Sequence, residues 1–320
     1  MKKALLFLLA LSLLFGCSKN ETSVVNSTPQ AFDEAAFLKK VEEISANAIR
    51  KSSHQGGRGR FWKIIKIIAS DIGGGITGAL GGLELTGGTT AGGIIGGVAG
   101  AAAASIKAAE GYVATVDATS TLKANLKLAA SLHLNTHVPP VISEINPFHY
   151  FGEFHNAKLA LLTPNVTIPD GVTGPDQAKY HDSYNQSMLA TALSNDEYFK
   201  PYNEELIAMG RPYTLNQYRV ATRFVDIFAY DTDEAYYTAM INSVSSHGPF
   251  LSTSKTVYLS LFNTIEQLET IEEVEEYIVM VTQQVALGFP DDYPDKDIML
   301  QTLAVAAYSA DFWYTLNQPL

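Results

Sequence analysis

A chain of 320 residues that is 47% hydrophobic and 17% charged is long enough to bury one or two sizeable cores. Its net charge of −11 is unevenly spread: residues 18–110 carry ten Lys and Arg against eight Asp and Glu, residues 111–320 ten against twenty-five. Such an acidic body argues against a nucleic-acid partner, and a single cysteine, Cys17, leaves no intramolecular disulfide to form.

In chain order, the first features are a targeting signal and a tether. Met1-Lys2-Lys3 is basic, Ala4 to Phe15 is apolar, and Gly16 precedes Cys17, the layout of a secretory signal. The apolar run is short for a hydrocarbon core of ~30 Å. Leu14-Phe15-Gly16-Cys17 resembles the bacterial lipobox, with Phe15 bulkier than the usual residue. That resemblance implies a lipoprotein signal peptide over 1–16, a palmitate-type acyl modification on Cys17, and a bilayer as the partner of its acyl chains. Ser18 in place of Asp after the cysteine resembles the sorting pattern of outer-membrane lipoproteins and implies a lipid anchor there, on the periplasmic or the cell-surface face. Residues 17–30 then read as the lipidated cysteine and a polar tether without helical period.

The next unit, residues 31–110, joins an amphipathic helix to a glycine-rich hairpin. Ala36, Phe37, Val41, Ile44 and Ala48 recur at three- and four-residue steps, which predicts a helix from 31 to 51. A polar hinge follows over 52–60, and from Arg50 to Lys66 there are six Lys and Arg and no Asp or Glu. Glycines then recur every four residues at 74, 78 and 82, and again at 88, 92, 96 and 100; from Leu85 to Ile106 no residue is charged. This glycine zipper is the spacing that lets helix backbones touch. Thirteen glycines lie between Gly73 and Gly100. At 0.8–1 kcal/mol each they would cost an isolated helix roughly 10 kcal/mol, so close packing, in lipid or in a protein core, must offset them. Two antiparallel helices are predicted, about 72–83 and 88–109, turning at Glu84-Leu85-Thr86-Gly87.

Residues 111–320 read as an acidic helical domain. Thr121–Asn135 is amphipathic, and 163–176 is a Pro-, Gly- and Asp-rich loop. Helices are predicted at about 177–194, 196–209, 214–229, 233–245, 254–287 with a break near Thr270, and 296–315. Ile271, Val274, Ile278, Val281 and Val285 form a packing seam opposite the glutamates at 272, 273, 275 and 276. The last helix is apolar nearly all round, which places it centrally. No alternating run supports a sheet. The expected fold is all-α, a glycine-rich helical hairpin followed by a multi-helix globular body.

No residue pattern identifies an enzyme, a metal or a cofactor. His133 and His137 share a helix face at i, i+4, but that face is apolar and the Glu of a metalloprotease helix is missing. Asp231, Asp233 and Glu234, and Asp291, Asp292, Asp295 and Asp297, lack the alternation of a calcium loop and read as acids placed before helix N-termini. The segment Asn146-Pro147 through His155-Asn156 holds a candidate ligand site at His149, His155 and Asn156, against the alternative that these residues cap and pack a helix. Asn146-Pro147, Gly152 and His155-Asn156, with Ala304 through Trp313, resemble segments of uncharacterised bacterial envelope lipoproteins and exported proteins that carry a glycine-zipper stretch. The resemblance implies shared architecture and no mechanism.

Two functional expectations follow. In the first, a membrane-tethered lipoprotein uses its hairpin for membrane association or self-association as a homo-oligomer. Trp62, Lys63 and Lys66 would meet the lipid interface, and Gly74, Gly78, Gly82, Gly88, Gly92, Gly96 and Gly100 would make the close contacts. This arrangement also resembles glycine-zipper proteins and peptide bacteriocins, implying a toxin-like role in cell competition. In the second, the hairpin is packed in the core of a lipid-anchored, ligand- or partner-binding helical module.

Overall fold

The computed structural model of the chain describes residues 32–52, 58–98, 100, 101, 104, 140–153, 155, 156, 200–212 and 252–317. Cys17, the His133/His137 pair, the 163–176 loop and the helices expected at 121–135, 177–194, 214–229 and 233–245 lie outside them, as do Asp231, Asp233 and Glu234. Every described element is helical: α1 (Glu34–Lys51), α2 (Arg58–Leu85), α3 (helical at 90–98, 100, 101 and 104), α4 (Pro140–Ile145), α5 (helical at 150–153, 155 and 156), α6 (Lys200–Ala208), α7 (Ser252–Ile265), α8 (Ile271–Gly288) and α9 (Lys296–Asn317). The protein is all-α. Residues Glu34–Leu320 form one compact unit, distinct from Met1–Asp33.

One side of this unit is a bundle of α1, α7 and α8. The apolar stripe of α1 is buried through Phe37, Val41 and Ala48, and Phe37 stacks on Phe289 at 4.2 Å just past the end of α8. A buried hydroxyl knot closes the same seam, with Ser45 Oγ 2.8 Å from Ser260 Oγ and 2.9 Å from the Tyr277 hydroxyl. The break expected near Thr270 is a capping box. Thr270 is extended (φ −127°, ψ 158°), its hydroxyl accepts from the Glu273 amide at 3.2 Å, and the Glu273 carboxylate accepts from the Thr270 amide. The predicted seam residues Ile271, Val274, Ile278, Val281 and Val285 are all buried.

The other side is the glycine hairpin, α2 and α3. Its turn falls at 86–89, two residues later than expected, because two glycines end α2 in a Schellman-type arrangement. Gly87 and Gly88 have φ of +72° and +84°, the Gly88 amide donates to Leu83 O at 2.6 Å and the Gly87 amide to Glu84 O at 3.2 Å. Thr89 then caps α3, its hydroxyl accepting from the Gly92 amide at 3.2 Å. Upstream, α2 already begins at Arg58, within the stretch read as hinge.

α9 joins the two sides, packing on α2 and on α8. Its residues 298–310, 312 and 313 are buried, with Trp313, Tyr308 and Phe312 among the largest fully enclosed side chains. Lys296 fixes its start by donating to Phe289 O at 3.0 Å and to Asp291 at 2.8 Å, while Asp295, buried, accepts from Ser254 Oγ at 2.6 Å. Of the acids expected to stand before a helix N-terminus, Asp291 thus pairs with the Lys296 side chain, Asp295 ties α7 to the start of α9, and Asp297 lies in the first turn of α9.

Candidate functional site

The zipper glycines meet one another within the chain. A Cβ on Gly74 would lie on the Gly100 carbonyl and 2.5 Å from Ala104 Cβ; on Gly78 it would strike Gly96 O and come 2.8 Å from Gly100 Cα; on Gly82 it would strike Gly92 O. The reverse holds for Gly92, Gly96 and Gly100. Gly88 is not part of this contact: it lies in the turn, and a Cβ there would have nothing within 4 Å. Its helical spacing was inherited from the sequence period, whereas its positive φ makes it a cap.

The outside of the hairpin is covered too. Residues 71–82 of α2 are buried without a break, and on α3 Ala91, Ile94, Ile95, Val98 and Ala101 join one core cluster with Phe151, Leu206 and Val305. Arg211, after α6, donates to Thr86 O at 2.7 Å and lays its guanidinium against Gly87, which holds the hairpin tip. Lys66 is exposed. Trp62 and Lys63 lie near the start of the same helix, α2. No described helix is long and apolar enough to cross a membrane.

The two segments singled out at 146–156 and 304–313 pack on each other. Pro147 confines Asn146 to an extended shape, and the buried Asn146 side chain donates to Leu300 O at 2.7 Å while accepting from the Phe148 amide at 2.9 Å. Gly152 rests on α9: a Cβ there would run into the Tyr308 ring and lie 2.6 Å from Ala304 O. The Tyr308 hydroxyl donates to Glu153 at 3.1 Å, and the same carboxylate oxygen is 3.2 Å from His149 Nδ1. Deeper in, Asn156 Nδ2 donates to Tyr308 O at 2.7 Å. That fixes the Asn156 oxygen toward His155 Nδ1, 3.0 Å away, so the imidazole carries its proton on Nδ1. His155 Nε2 faces Asp71 of α2 at 3.7 Å, and Asp71 accepts from Ser309 of α9.

Of the three candidate ligand residues, His155 and Asn156 are therefore interior ties, 0% and 1% exposed, and only His149 is half-buried near the surface. Burial pushes the His155 imidazole down to about 4, against the opposing bond to Asn156, so it is neutral at neutral pH. Ser309, Asp71 and His155 are the residue types of a hydrolase triad in the wrong order. Nucleophilic catalysis needs the imidazole between hydroxyl and carboxylate, whereas here the carboxylate stands between the other two, and all three are closed to solvent. Among the described residues no three His, Cys, Asp or Glu side chains group as metal ligands. The sequence reading missed Asp71 and Ser309. The available signal was Asp71 itself, the single charge between Ile67 and Leu83 on a helix otherwise uncharged there. Comparison with protein families, curated proteins and solved structures finds no match for the chain.

Proposed function

We propose that this protein is a lipid-anchored helical ligand- or partner-binding module of the bacterial outer membrane, tethered through Cys17, with the glycine hairpin serving as an element of its core. The observation that supports this reading is the intrachain match of Gly74, Gly78 and Gly82 with Gly100, Gly96 and Gly92 under a cover of apolar side chains. Close-packing capacity used between α2 and α3 is not offered to a second copy or to lipid. The acidic helices outside it, with Glu272 and Glu276 exposed on α8, are what such a module would present.

A second reading, in which the hairpin associates with a bilayer or with other copies in a toxin-like role, draws on its apolar outer faces and on the basic, Trp-containing start of α2. One experiment separates the two. In a Cys17→Ala background, Gly92→Leu/Gly96→Leu inserts bulk where even a Cβ collides with backbone. The core reading expects a parent that neither forms oligomers nor makes liposomes leak, and a mutant that melts far earlier from overpacking. Leakage or oligomers in the parent, lost in a mutant of unchanged helical circular dichroism, would establish the second reading instead. Labelling with a tagged fatty acid should mark the wild type and not Cys17→Ala; equal labelling of both refutes the anchor.

A further inference from the structure

α9 turns one face toward the 146–156 segment, and part of that face is polar. Asp297, Gln301, Ala304 and Tyr308 recur at steps of four, three and four, so they share one stripe of the helix. Contacts settle where the stripe looks: Gly152 rests on Ala304 and Tyr308, and the Tyr308 hydroxyl donates to Glu153. At its first turn, burial, then the Tyr202 hydroxyl and the Asp297 carboxylate, push the pKa of Tyr150 up, which sets Asp297 near that phenol. Val305, one turn past Gln301, belongs to the core cluster against which Phe148, Tyr150 and Tyr202 pack. Gln301 therefore sits behind an aromatic wall. It is 5% exposed, and its enclosed carboxamide nitrogen has no hydrogen-bond partner among the described residues.

We infer that the start of this stripe binds an ammonium group standing next to a carbonyl oxygen, the unit shared by free amino acids and peptide amino termini. The ammonium goes to the Asp297 carboxylate and the oxygen to the Gln301 amide, one helical turn on. An N–H left unpaired in an interior is destabilising and rare in native proteins, and a ligand oxygen completes it. Asp297 is exposed, and the cation beside it in sequence is engaged elsewhere, Lys296 donating to Phe289 O and to Asp291. Glu153 is likewise engaged, its carboxylate oxygen shared by Tyr308 and His149. Asp297 is thus the acceptor left for the ligand's charge. Aromatic rings beside a carboxylate suit an organic cation, and the acidic body draws cations toward it. Tyr150 and Tyr202, both half-buried, join α5 to α6 through hydroxyls 2.8 Å apart, and rotation of these side chains opens the way to the amide. The inference rests on the binding-module reading and names its ligand.

The full chain carrying Cys17→Ala is titrated in a calorimeter with leucine, with leucyl-alanyl-alanine and with the N-acetylated tripeptide. Saturable binding is expected for ligands with a free ammonium and not for the acetylated peptide. Binding of both leucine and the tripeptide assigns the shared unit; binding of one alone assigns the free amino acid or the peptide terminus. Asp297→Asn, at an exposed position, should weaken binding by roughly tenfold or more, as loss of a charged hydrogen bond does. Gln301→Leu should weaken it by roughly threefold or more and leave Tm equal or higher, because an apolar side chain replaces an unpaired amide. A Gln301→Leu protein that melts earlier and binds as before overturns the inference. So does equal binding of the acetylated tripeptide, or binding of none of the three. Should Gln301→Leu not fold, Asp297→Asn decides alone, and unchanged affinity overturns the inference. The hairpin's place in the core is read separately, by Gly92→Leu/Gly96→Leu, so the ligand assignment can fall while that placement stands.

Discussion

Asn156 does two things with one amide group: its nitrogen donates to Tyr308 O of α9, and its oxygen accepts a hydrogen bond from His155 Nδ1. The imidazole is neutral because it is closed to water, against the pull of the Asn156 bond, and its other nitrogen is 3.7 Å from Asp71, beyond hydrogen-bond reach. Charging this ring means placing an imidazolium where burial opposes it, which is why its pKa falls from 6.5 to about 4. The unfolded chain binds that proton more readily than the folded one. The stabilisation is therefore complete above about pH 6.5 and is lost as the pH falls toward 4, an effect of about 3 kcal/mol by linkage. Urea unfolding at pH 7 and at pH 4.5 should show it as a drop in stability, and His155→Gln should flatten that slope. Glu275 on α8 works in the opposite sense. Partial burial, then the carboxylates of Asp311 and Glu272, raise its pKa from 4.5 to about 7. Its contribution is fully present below about 4.5 and is lost as the pH rises through 7. Glu275→Gln should raise Tm at pH 8 and leave it nearly unchanged at pH 4.

At the scale of the element, α2 carries two kinds of glycine. Gly78 touches the opposing backbone, but Gly75, three residues earlier, has room: a Cβ there would lie 3.7 Å from Ala101 Cβ and 3.9 Å from Thr302 Cγ2, ordinary contact distances. Gly75→Ala should accordingly stabilise the protein by about 0.5–1 kcal/mol through helix propensity. Gly78→Ala should cost roughly 1–3 kcal/mol from overpacking in spite of the same propensity gain. Urea denaturation of the two single mutants measures both, and equal effects would contradict the hairpin geometry. Periodicity alone located much of this architecture: the zipper faces, the Thr270 break, the α8 seam and the central position of α9 were all legible, since each is a local pattern of side chains along one helix. The turn was misplaced by two residues because a four-residue glycine period cannot tell a zipper position from a cap; only the positive φ at Gly88 does.

For the whole molecule, what the pattern could not reveal was the cover of the hairpin. A lipid tail and the face of α9 are equally apolar, so a helix rich in Ile and Gly announces that it will be enclosed without saying by what. The buried site was hidden for a related reason. Its members come from three places far apart in sequence, and only the lone charge at Asp71 hinted that a polar partner waited inside. The tie from Asp71 to Ser309 spans 238 residues, and those from Asn146 to Leu300 and Asn156 to Tyr308 span 154 and 152. Such separations carry a temporal meaning. During synthesis the hairpin emerges well before the helix that covers it, so in that interval it has no native lid. Contacts of this range close slowly, and apolar surface exposed meanwhile invites aggregation. A chain ending at Pro294, lacking α9, should therefore collect as aggregates that bind a hydrophobic dye, and adding back a peptide of 295–320 during refolding should increase the soluble yield. The hairpin thus waits for a partner 238 residues further along the chain, from Asp71 to Ser309, and the soluble yield of these two experiments is what reads that wait.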